Sequence, residues 1–200
     1  MAKNAAWCGT LAEWERKFGA WIAAPDPEEM LALNMSFDFR AACGDGAIAD
    51  ALRASVARAL EETPAFITQL ARDALRRRTA FPQTTAFFQG GEAEIDLKET
   101  AAQFALYARL YALRDGIAET NTWRSYEELA RRGSFGAALA ADCLDSYETL
   151  MGMRAERQAA APKLPLKAFR PREQALLREA LAQASLVQKK IAFDFPGSAI

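Results

Sequence analysis

An all-α fold, an antiparallel bundle of about eight helices with at most one small hairpin, is predicted by three features of this 200-residue sequence. Apolar residues recur at three- and four-residue spacing through nearly all of it. Helix-start signals, among them Thr10 with Glu13, Pro27, Pro64 and Pro171, fall immediately ahead of those periodic runs. Only one stretch, 79–95, lacks helical period.

Thr10 and Glu13 form a T-x-x-E capping pattern ahead of Leu11, Trp14, Phe18, Trp21 and Ile22, which defines a first amphipathic helix. Ala23-Ala24-Pro25 stops it, and Asp26-Pro27 starts a short second helix through Met30, Leu31 and Leu33. The segment Phe37-Asp38-Phe39-Arg40 reads either as a chain crossing that buries an aromatic pair or as an extended segment on which Asp38 and Arg40 share one side and can be placed at a cleft mouth. Ile48, Leu52, Val56 and Leu60 give a third helix. Thr63-Pro64 ends it and begins a fourth, through Phe66, Ile67, Leu70 and Ala74. Arg76-Arg77-Arg78 closes the fourth helix, where cations suit the negative end of the dipole. After the aperiodic 79–95, with its Gly90-Gly91 turn, comes the longest clear pattern, ending near Gly116. Asn121 and Thr122 cap a helix through Trp123, Tyr126 and Leu129, Ser134 opens another that runs to Ala161-Pro162, and Pro171 opens the last.

The helix from Leu97 organises the rest. Leu97, Ala101, Phe104, Ala108 and Tyr111 fall on one side and Leu106, Leu110, Leu113 and Ile117 on another, so it is expected to be the most buried element. Between these flanks lie two narrow strips. Thr100, Gln103, Tyr107 and Arg114 suit solvent; Lys98, Ala102, Ala105 and Arg109 then face inward. Lys98 and Arg109, eleven residues apart, point within roughly 20° of each other and stand roughly 16 Å apart along the axis. Inward cations require carboxylate partners or a ligand cleft, because an unpaired buried ion costs several kcal/mol. Both readings stand at this point.

Composition narrows the function. A 51% hydrophobic content supports one globular domain over 1–200, divided into N-terminal helices at 10–78, a loop at 79–95 and a core bundle at 96–195. A net charge of −1 gives no bulk attraction to nucleic acid or an anionic membrane. No apolar run approaches the roughly 20 residues of a membrane span. Three widely spaced cysteines, Cys8, Cys43 and Cys143, lack metal-ligand spacing and fit a reduced, cytoplasmic setting. The absence of histidine excludes histidine triads and histidine bases. Gly133-Ser134 followed by Asp142 and Asp145 does not make a nucleotidyltransferase centre, whose two aspartates stand two apart on a strand. No glycine-rich phosphate loop is present. No catalytic or metal-ligating residue is therefore assigned.

Several short pieces occur in an informative order: Ala2-Lys3-Asn4 with Trp7-Cys8, Phe37-Asp38-Phe39-Arg40, Asp96-Leu97-Lys98, Ala108-Arg109, Asn121-Thr122 with Arg124, and Arg154 with Gln158. On these the chain resembles the putative nucleotidyltransferase substrate-binding domain. That family is the C-terminal part of bacterial signalling proteins that also carry paired CBS modules and a nucleotidyltransferase domain related to protein-PII uridylyltransferase. The chain departs from the family after Asp96-Leu97-Lys98, where a basic, glycine-containing turn is usual, and at Arg157, where histidine is frequent. The resemblance implies a non-catalytic substrate-binding or regulatory role beside a catalytic domain, whose exit 1–9 would form, with Met1 then an internal methionine. It implies no cofactor in this chain, and Mg2+ with a nucleoside triphosphate in the associated domain. Lys98 and Arg109 would contact an anionic group of an unidentified acceptor, and Asp38, Arg40, Asn121 and Arg124 would orient it. A structural docking or homodimerisation module without a ligand site is the competing expectation.

Overall fold

The computed structural model describes residues 7–25, 30, 33, 36–76, 94–157 and 163–198. Seven α-helices have defined bounds among them: α1 Leu11–Ala23, α2 Gly46–Glu62, α3 Pro64–Arg76, α4 Leu97–Arg114, α5 Thr122–Arg132, α6 Ala137–Arg157 and α7 Pro171–Asp194. The helical bundle expected from the sequence is thus present. Seven of the expected helices have these counterparts; the short one from Asp26 lies largely outside the described residues, although Met30, Leu33 and Ser36 are helical. The Gly90-Gly91 turn, Arg77, Arg78 and Gln158 also lie outside them. Two short strands, β1 Glu94–Ile95 and β2 Leu164–Pro165, pair antiparallel with Ile95 opposite Leu164.

The chain forms two compact units, Met1–Leu70 and Ala71–Ile200, with the boundary inside α3. In the first, α1 begins with the capping box foreseen: the Thr10 hydroxyl accepts from Glu13 N and Glu13 Oε2 accepts from Thr10 N at 2.7 Å. Phe18 and Ile22 are buried. Phe18 meets Phe37 at 5.8 Å and Phe39 at 5.9 Å, and Phe37 meets Phe66 at 5.9 Å, so the aromatics of 37–39 close this core. Arg53 stacks on Phe39 and donates to its carbonyl at 2.8 Å. On the outer side of α1 the Lys17 ammonium lies 4.7 Å from the Trp14 ring, 5.0 Å from Trp21 and 5.5 Å from Trp7.

The second unit is built on α4, which packs along α6 and α5 and meets α7 through its last two turns. Eleven of its residues are buried, which fits the expectation that it is the central element. Asp96 caps it, its carboxylate accepting from Glu99 N at 2.9 Å. The Tyr126 hydroxyl donates to Phe104 O at 2.9 Å and Arg132 donates to Asp115 O at 2.8 Å. Together these bonds make α5 run the same way as α4, so the first turn of α5 and the first turns of α4 lie toward the same end of the unit.

The α5–α6 connection departs from the sequence reading. Ser134 does not begin a helix, because Gly133 takes a left-handed conformation (φ 80°) and turns the chain, and α6 starts only at Ala137. Ser134 N and Phe135 N both return to Leu129 O, and the Phe135 ring is driven into the core against Tyr111 and Tyr126. The proline-interrupted connector before α7 is likewise held by side chains. Gln174 donates to Leu166 O and Phe169 O, and Arg157 reaches Ala168 O at 3.0 Å and Glu173 at 2.7 Å.

Candidate functional site

Apart from Arg114, which is exposed as expected, the polar strips of α4 are arranged oppositely to the sequence expectation. Thr100, Gln103 and Tyr107, expected in solvent, are at most 2% exposed, whereas Lys98 and Ala102 are exposed and Ala105 and Arg109 half-buried. The cause is hydrogen-bond supply. Thr100 donates its hydroxyl to Asp96 O one turn back at 2.7 Å, and Tyr107 accepts from Gln188 Nε2 of α7 at 3.0 Å. Satisfied polar groups of this kind can be buried at little cost, while the ammonium of Lys98 cannot. Gln103 is the exception, since its Oε1 is buried without a hydrogen-bond partner. Burial raises the Tyr107 hydroxyl far above its ordinary range despite the bond from Gln188, so it stays neutral.

Lys98 therefore stands in solvent on a strip of small residues, with Arg109 half-buried three turns along and engaged with another group of the chain. Asn121 is the N-cap of α5, its side-chain oxygen accepting from Arg124 N at 3.2 Å, and both residues are exposed. The first turn of α5, which carries both residues, thus lies toward the end of the unit where α4 begins. Asp38 and Arg40 belong to the first unit. Asp38 occupies a turn directly after helical residues rather than an extended run, is half-buried and has an interaction partner; Arg40 is exposed.

At the opposite end of α4 lies a polar cluster that spacing did not reveal. Arg114 Nε donates to Asp115 Oδ1 at 2.7 Å, and its Nη1 lies 3.9 Å from Asp194 Oδ2. Asp194 accepts from Tyr111 at 2.9 Å and pairs with Lys190 at 2.7 Å, while the Ser134 hydroxyl bonds to Asp115 Oδ2. Burial first, and the bond to Asp194 next, push the Tyr111 hydroxyl far up, so it remains a donor. Two cations and two carboxylates balance here, which fits a clasp joining α4, α7 and the α5–α6 turn.

The family model described as putative nucleotidyltransferase substrate binding domain matches residues 64–195. The chain belongs to this family. A second model, described as putative nucleotidyltransferase, matches residues 1–28. No curated protein and no solved structure matches the chain. Within the substrate-binding domain, then, Lys98, Arg109, Asn121 and Arg124 all lie in the matched region, and Asp38 and Arg40 lie between the two matches. Among the described residues no group of acidic or cysteine side chains is arranged to hold a metal, and no helix is long and apolar enough to cross a membrane. The Asp115–Asp194 clasp was hidden because its members come from 111–115, 132–134 and 190–195; the one local trace is the i,i+4 spacing of Lys190 and Asp194.

Proposed function

We propose that this domain binds the acceptor for a nucleotidyltransferase catalytic domain, most simply one in the same parent chain, and offers it to a nucleotide held there with Mg2+. The observation that carries this reading is the order of the two family matches, a nucleotidyltransferase family at 1–28 and its substrate-binding domain at 64–195. Lys98 and Arg109 supply positive charge along about 16 Å of α4, over alanines small enough to let a ligand approach the helix. Asn121 and Arg124 add donors from the first turn of α5. Asp38 and Arg40 are assigned to acceptor recognition on the resemblance alone. The same resemblance supports reading the parent protein as a cytoplasmic signal-transduction protein with CBS modules and a uridylyltransferase-like activity.

Thermal denaturation of the chain with inorganic phosphate, pyrophosphate and each nucleoside triphosphate tests the ligand site. An anion that binds at 100 times its Kd stabilises by about 2.7 kcal/mol, and that gain should vanish in Lys98→Ala and shrink in Arg109→Ala. No shift with any of these anions, or a shift indifferent to both substitutions, favours the docking-module reading. The isolated chain should also show no nucleotidyl transfer with Mg2+; turnover lost on changing one of its own acidic residues would overturn the division of labour.

A further inference from the structure

The outer face of α7 carries a second seam that its own core does not use. The inner face buries Leu177, Ala180, Leu181, Ala184, Val187 and Ile191. On the other side, Ala175, Glu179, Ala182, Leu186, Lys189 and Phe193 follow one another at spacings of four, three, four, three and four, the repeat that holds one stripe of a helix against a partner helix. All six are exposed, Leu186 at 49% and Phe193 at 86%, the latter the most exposed of the large hydrophobic residues among those described. A phenyl ring left in water forgoes about 1.5–3 kcal/mol of burial, which a stripe of this period can recover against a second helix.

We propose that this face pairs with the same face of a second copy of the chain, α7 against α7, antiparallel about a two-fold axis level with Ala184. The sequence of the stripe is complementary to itself in that one register. Phe193 falls opposite Ala175 of the second copy, Leu186 opposite Ala182, and Lys189 opposite Glu179, each pair equally spaced about Ala184 and each occurring twice. Large residues meet small ones along about 27 Å of helix, and both charged positions meet opposite charge. Within its own helix Glu179 has no Lys or Arg three or four residues away, and Lys189 has no Asp or Glu, so each charge is left for an external partner. Leu176, 36% exposed, flanks the position that would receive the Phe193 ring. Antiparallel packing also sets the two helix dipoles in opposition, which favours it further. This inference is independent of the anion site on α4.

Sedimentation equilibrium on the 200-residue chain tests it. The expected result is a reversible dimer of twice the 22.0 kDa chain mass. Phe193→Glu should raise its Kd by about 30-fold or more, the scale of losing an aromatic anchor. Glu179→Lys and Lys189→Glu should each weaken the dimer roughly 5-fold, because symmetry turns both ion pairs into like-charge contacts, and the double swap should restore the original affinity. All these positions are exposed, so unchanged circular dichroism accompanies each variant. A chain that stays monomeric up to its solubility limit overturns the proposal and leaves the face to another occupant. A dimer indifferent to Phe193→Glu, or a charge swap that fails to rescue, overturns it as well.

Discussion

Replacing Phe135 with Ala should be among the most damaging single changes in the second unit. The ring is fully buried, packs edge-on to Tyr111 at 4.6 Å and to Tyr126 at 5.6 Å, and has the Lys190 ammonium 5.6 Å from its centroid. It belongs to the four-residue connection 133–136 rather than a helix, so it is also the apolar anchor that fixes how α6 follows Gly133. Truncating a buried Phe to Ala costs about 3–5 kcal/mol, and the upper part of that range applies where the cavity is walled by helices that cannot close in. In a chain of this length each kcal/mol lowers the midpoint by about 2–4 °C, so a loss of roughly 10 °C is expected. Urea and thermal unfolding followed by far-UV circular dichroism measure it, with Ile48→Ala, on an exposed side of α2, as the near-neutral control. If the two units unfold separately, only the transition of Ala71–Ile200 should move. A double-mutant cycle with Tyr111→Leu and Phe135→Leu should return about 0.5–1.5 kcal/mol of coupling, the edge-to-face contribution. A Phe135→Ala cost below about 1.5 kcal/mol would refute this placement of the ring.

Two further outcomes follow from groups whose protonation the fold controls. Burial holds the Cys143 thiol up to about 12, whereas Cys8 and Cys43 are exposed, so the native chain should titrate two thiols rapidly with a disulfide reagent at pH 8 and the third only on unfolding. Glu173 is held below its ordinary 4.5, first by the backbone N–H of Arg170 and then by Arg157. A carboxylate depressed in the folded state contributes stability above pH 4.5 and loses it as the pH falls through its folded value. The midpoint difference between the parent chain and Arg157→Gln should therefore be full at pH 7 and narrow below pH 4.5; a gap that stays constant would show that Arg157 acts through its bond to Ala168 O and its stacking on Phe169 rather than through Glu173.

Much of the helical layout was legible because its signals are local. The Thr10–Glu13 box, proline at the first position of α7 and the apolar period of α4 each act within a few residues, and all three stand in the structure as read. The start of α6 was misplaced because Ser134 has cap chemistry, yet its hydroxyl is taken by Asp115, nineteen residues earlier, and Gly133 has already turned the chain. The polar strip of α4 was inverted for a related reason. Whether Thr100 and Tyr107 face water depends on whether partners reach them, and for Tyr107 that partner is Gln188, on a helix eighty-one residues away. Periodicity ranks residues by transfer preference and is blind to such pairings.

That inversion alters the physics of the candidate site. With Lys98 turned inward, charge would have demanded either a ligand or a carboxylate, because burial is costly without one. In solvent the ammonium is hydrated and needs neither, so burial no longer argues for a ligand there. What remains is a cationic, small-residue strip whose one large neighbour, Arg109, is already engaged within the chain. Exposed charges of this kind contribute little to stability, within about 0.5 kcal/mol, and they steer and orient charged ligands most where other donors converge. On the proposed reading, Asn121 and Arg124 in the first turn of α5 are the donors that would join Lys98 in the second unit. Binding there is accordingly a question of charge and access rather than of relieving a buried ion, and any affinity should fall steeply as salt is added.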